Sequence, residues 1–230
     1  MMHRHFEEQL SGLRGRLVHM GALAEAMIEK AVKSLLERTT ARHPEIFKNE
    51  DEVNALHIEI DEKVITLLAL QHPLAADLRL VVMGSKIAGE LERIGDQAVN
   101  ICQNTEALLR YPPLKPLIDI PLMAEIARRM LRESLDAFVR QDAALAQKVL
   151  DADDEVDAFK EQIFRELLTY MMSDPGTIPR ALALILISRN LERVGDHATN
   201  IAEEVIYVAQ GRDVRHHHEE KKRDGNEGKG

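Results

Sequence analysis

Two hundred and thirty residues, 45% hydrophobic but only 3% aromatic and without tryptophan, make a chain that builds its core from Leu, Ala, Ile, Val and Met, the composition of an all-helical protein. A formal net charge of −9 excludes a sequence-independent grip on nucleic acid, which needs a basic face. The single cysteine, Cys102, excludes a disulfide framework. The N-terminus is polar and the most apolar run, residues 181–188, is too short to cross a bilayer, so a cytoplasmic protein is expected.

The 3.6-residue period predicts six long helices. The first covers about 5–38, with the apolar stripe Leu13, Leu17, Met20, Ala24, Met27, Ala31 and Leu35 at bundle spacing. The second starts near Pro44 and ends at Gln71-His72-Pro73. The third runs from about Leu74 to Leu109. Three prolines in residues 111–116 force an extended connector close to the chain midpoint. The fourth helix is expected over 121–140, the fifth over 143–172 with Asp142 as its N-cap, and the sixth over 178–210 after a turn at Ser173–Thr177. Beyond Gly211 the chain is charged, Gly-rich and without apolar period. The expected division is therefore residues 1–112, residues 117–212, and a disordered charged tail over 213–230.

One phrase occurs twice. Residues 91–101 read LERIGDQAVNI and residues 191–201 read LERVGDHATNI, eight of the eleven positions being identical. Asp51-Glu52-Val53-Asn54 is answered by Asp154-Glu155-Val156-Asp157 on the middle helix of the other half. The chain is a tandem duplication, and each half reads as three antiparallel helices. The fold class is all-α, two pseudo-symmetric three-helix bundles.

Within the phrase, Glu92, Asp96 and Asn100, and again Glu192, Asp196 and Asn200, stand at i, i+4 and i+8, one stripe of oxygen donors on a helix. The middle helices add Glu50, Asp51, Asn54 and Asp61, then Asp153, Asp154, Asp157 and Glu161. If these stripes face each other, the carboxylates cannot all stay ionised without a cation. Oxygen donors suit divalent or trivalent ions such as Mg, Mn, Ca, Fe or Zn. The rival readings are a metal-free helical scaffold with solvated or salt-bridged stripes, and a carboxylate-bridged hydrolase or oxidase. The Glu-x-x-His pairs of di-iron bundles are missing, since Gly95 and Gly195 follow the glutamates at i+3. His57, one turn before Asp61, and His197, whose counterpart is Gln97, are read as solvent-facing and as non-essential. His216–His218 are read as tail decoration.

The doubled phrase, with ADLRL at 76–80, LTYMM at 168–172 and TIP at 177–179, resembles the PhoU family of phosphate-transport and phosphate-signalling regulators. That resemblance spans about residues 5–216. It implies multinuclear metal sites at Glu92/Asp96 and Glu192/Asp196, faced by middle-helix carboxylates. It also implies a non-enzymatic negative regulator that contacts a phosphate ABC transporter ATPase and a sensor histidine kinase, reaches the membrane only through those partners, and forms homodimers. The family pattern often places an acid four residues before Asp61, where this chain has His57. The matching places of the second half, Lys160 and Phe164, are not acidic, so the two sites are expected to differ.

Overall fold

The computed structural model describes residues 2–71 and 73–214; the segment from 215 onward, which holds the expected tail from its third residue and the histidine run, lies outside them. Six helices follow in order: α1 Met2–Glu37, α2 His43–Gln71, α3 Ala75–Leu109, α4 Asp119–Arg140, α5 Ala143–Ser173 and α6 Ile178–Gln210, with a 3-10 turn at Pro175–Thr177 before α6. The expected breaks fall where proline and short polar residues stand. The fourth helix starts two residues earlier than expected, at Asp119.

Helices α1, α2 and α3 pack on one another, as do α4, α5 and α6, so each half is a three-helix bundle. The predicted α1 stripe is the core stripe: Leu13, Leu17, Met20, Ala24, Met27 and Ala31 are fully buried. Cys102 is fully buried too, as expected of a packing residue, and burial above all pushes its thiol up to about 12. The apolar side chains of both halves form one contiguous core, because α3 lies along α6 and α1 crosses α4.

Local chemistry fixes the ends. The Asp142 carboxylate accepts from the backbone N–H of Ala144 and of Leu145, both at 3.0 Å, satisfying two orphan donors of α5. Asp142→Ala is expected to cost about 1 kcal/mol, read as a lower urea midpoint with unchanged slope; an unshifted midpoint would remove the cap from the account. Helix α6 stops at Gly211, whose φ of 67° needs a residue without Cβ strain. The proline connector is tied down from both halves. Arg38 donates to the carbonyls of Leu108 at 3.3 Å and Tyr111 at 2.5 Å, Arg180 donates to the Pro112 carbonyl at 3.4 Å, and Lys115 pairs with Glu166.

The seam between α1 and α4 is built from duplicated positions that carry opposite charge. A shift of 103 residues takes Glu25 to Arg128 and Glu29 to Arg132. The Arg128 guanidinium lies 3.2 Å from Glu25 and 2.8 Å from Glu29, and Arg132 lies 2.5 Å from Glu25. At the crossing, a Cβ on Gly21 would collide with Leu135, so the helices approach through a residue that has none.

Candidate metal centres

The repeated phrase sits in the middle of α3 and α6, and its apolar members face inward: Leu91, Ile94, Ala98 and Ile101, and Leu191, Val194, Ala198 and Ile201, are all fully buried. Those contacts fix the rotation of each helix and leave Glu92 and Asp96, or Glu192 and Asp196, on the adjoining face. At Gly95 and Gly195 the third helix leaves room for a side chain, because an added Cβ would make only ordinary van der Waals contacts. A Cβ on Gly95 would touch Met27 at 3.5 Å and Val53 at 3.6 Å; on Gly195 it would touch Val156 at 3.5 Å and Met130 at 3.7 Å. These partners are duplicates of one another, so the packing around the two glycines is itself repeated.

In the first half, α2 presents Glu50 to α3. Its carboxyl is pushed above the usual carboxylate range by burial and then by the charges of Asp96, Asp51 and Glu92. Acids from two helices therefore share one field. No lysine or arginine among the described residues forms an ion pair with Glu50, Glu92 or Asp96. Asp61 lies further along α2, where Ser85 of α3 donates to it at 2.5 Å and His57 Nε2 stands 3.7 Å away. Asn54 is exposed on the same helix and Asn100 is half-buried on α3. His57 is half-buried against Gly89 rather than fully solvent-facing.

The second half gathers the same stripe with a different neighbour. Asp196, although exposed as a residue, has its carboxyl pushed up to about 6, first by desolvation and then by the charges of Glu192, Asp153 and Asp157. Lys160 of α5 reaches into this group. Its ammonium donates to Glu192 at 2.8 Å and to Asp157 at 3.2 Å. Burial alone would lower the lysine, but those two hydrogen bonds and the two charges hold it above its ordinary value. Asn200, expected in the donor stripe, turns to the seam between the halves, where its amide donates to Glu90 at 2.9 Å.

As the side chains stand, no three His, Cys, Asp or Glu among the described residues converge tightly enough to grip an ion. What α2 and α3 fix is the backbone spacing that lets Glu50, Glu92 and Asp96 sense one another.

The PhoU domain family matches this chain twice, over residues 17–105 and 120–205. The chain belongs to the PhoU family. A phosphate-specific transport system accessory protein PhoU homolog of Zymomonas mobilis is 39% identical over 209 residues, covering 91% of this chain and 88% of that protein. The crystal structure of PhoU from Pseudomonas aeruginosa superposes with a TM-score of 0.86 at 38% identity, covering 90% of this chain and 100% of that one. That of the phosphate transport system regulatory protein PhoU from Streptococcus pneumoniae gives 0.83 at 25% identity, covering 91% and 99%. The two PhoU matches fall on the two three-helix units, as the duplicated phrase predicts.

Glu90, which the sequence did not single out, lies where the PhoU repeats meet. Glu90 of α3 is 15% exposed and accepts from His197 Nδ1 at 2.8 Å, from Asn200, and from Arg93 at 2.8 Å. His197 is thus a seam residue, in keeping with its lack of a duplicate. Within the first half, His43, 2% exposed at the start of α2, pairs with Glu106 of α3 at 3.0 Å. A buried histidine preceding Pro44 reads in sequence as nothing more than a helix start.

Proposed function

We propose that this chain is a cytoplasmic accessory regulator of a phosphate-specific transport system. It is a metal-binding, non-enzymatic adaptor that restrains phosphate uptake and phosphate-responsive two-component signalling by contacting the transporter ATPase and a sensor histidine kinase, and it acts as a homodimer. The names of the relatives support the transport system. No helix among the described residues is long and apolar enough to cross a membrane, which fits a protein that reaches the membrane through partners.

The observation that carries the metal part is the shared field of Glu50, Asp51, Glu92 and Asp96 on the facing sides of α2 and α3. A carboxyl held by burial beside the acids of a second helix, as Glu50 is, suits a hard oxygen-seeking cation. Bridging the helices by an ion stiffens the bundle and fixes the surface offered to partners. The donor set of α5 and α6 has a lysine among its acids and fits such an ion less well.

Two measurements test this. Elemental analysis of dialysed protein is expected to find bound metal in the wild type and none in the Glu92/Asp96/Glu192/Asp196 quadruple alanine variant; equal content in both sinks the metal assignment. Purified chain is expected to retain the transporter ATPase and the kinase in a pull-down, and retention of neither sinks the adaptor assignment.

A further inference from the structure

The duplication makes the second half a comparison for the first, position by position. A shift of 103 residues on the middle helix takes His57 to Lys160 and Asp61 to Phe164; a shift of 100 on the third helix takes Ser85 to Ile185. The polar corner of the first half, where Ser85 and His57 approach Asp61, is thus replaced as a unit. In its place stands a cavity of about 510 Å³ whose walls include Phe164, Ile185, Lys160 and Glu192. Phe164 is 47% exposed at that site. These changes remove an acid and a neutral-capable nitrogen donor and insert a cation.

We propose that Lys160 is a built-in counter-ion of the second carboxylate cluster, so that the chain holds its metal in the first half alone. The claim rests on the metal reading above and narrows it. A protonated lysine has three donors and no lone pair for a metal. Its ammonium bridges Glu192 and Asp157, acids of the two facing helices, as a bridging metal would. A second, doubly charged cation in the same place would sit against that ammonium and compete for the same oxygens. The first half offers no such competitor: position 57 carries an imidazole where the second half has an ammonium. The second half is therefore bridged by its own lysine and the first by metal when metal is bound. An adaptor of this design changes its stiffness in one half only when metal is lost.

The test counts metal on full-length protein stripped with chelator, reloaded with Mn²⁺ and passed through gel filtration. Three variants are compared with the wild type. Glu192→Ala/Asp196→Ala is expected to keep the wild-type ratio of metal to protein. Glu92→Ala/Asp96→Ala is expected to lose it. Adding Lys160→His and Phe164→Asp to the latter, which copies the first-half residues, is expected to bring metal back, with helicity by circular dichroism unchanged throughout. Loss of half or more of the metal in Glu192→Ala/Asp196→Ala overturns the lysine inference and leaves the metal reading standing. Failure of the transplanted pair to raise metal content in a folded variant also overturns it. A wild type that holds no Mn²⁺ removes both.

Discussion

Replacing Phe138 by alanine is expected to remove about 3–5 kcal/mol of unfolding free energy and to shift a urea transition that stays single. Phe138, on α4, is 1% exposed and is among the largest fully buried side chains. Deleting its ring forfeits the transfer energy of an aromatic side chain and leaves a cavity that straight, mutually packed helices close only in part. Its duplicate in the first half is Leu35, 3% exposed, where truncation is expected to cost about 2–5 kcal/mol.

The stronger part of that prediction is the shape of the curve. Two bundles joined by a connector would unfold separately, and damage to one would split the transition. Here α3 lies along α6, and the apolar residues of both halves form one cluster. Loss of α4 packing strips the first half of its seam partners, so both fall together. A variant whose near-neutral urea curve separates into two steps would show that the seam is weaker than its packing implies.

The repeated phrase, the bundle spacing of α1 and the prolines at the midpoint made six helices and two halves legible before any coordinates. Periodicity reports which face of a helix is buried, and each helix here buries a stripe. The site was legible in part, because the phrase places its acids on one face and the apolar residues between them fix that face. The seam was not. Glu25, Glu29, Arg128 and Arg132 each look like solvated surface charges on their own helices, and only the packing of α1 against α4 makes them partners. A signal was present in the duplication: at two successive turns the equivalent residues have opposite sign, a pattern that solvation alone does not select. Lys160 carried the same kind of signal. Taken singly it is a departure from an acidic pattern. Set against His57, with Phe164 against Asp61 and Ile185 against Ser85, it becomes one member of a coordinated replacement. Repetition does not give Asn100 and Asn200 one role. The partner of Asn200, Glu90, has the duplicate Asn190, so the environment that captures Asn200 does not exist for Asn100.

Glu90→Ala is the sharpest test of that seam, with an expected loss of about 1–3 kcal/mol at neutral pH. The carboxylate is mostly buried between α3 and α6 and receives hydrogen bonds from His197, Asn200 and Arg93. Burial alone would raise its proton affinity. The hydrogen bonds from His197 and Asn200, then the charges of His197 and Arg93, outweigh burial and hold Glu90 below the ordinary value of 4.5. Since the folded value is the lower one, Glu90 contributes its full stability above the unfolded value near 4.5 and loses it as pH falls through the folded value. The gap in unfolding free energy between wild type and Glu90→Ala is therefore expected to be fully open just above pH 4.5 and to shrink on acidification from there towards about pH 3, measured by urea unfolding at each pH. A gap that widens as pH falls from 4.5 towards about pH 3 would reverse the sign of the carboxylate's contribution. A gap that stays flat would mean that the side chain acts by filling space, and that its charge plays no part in joining the halves.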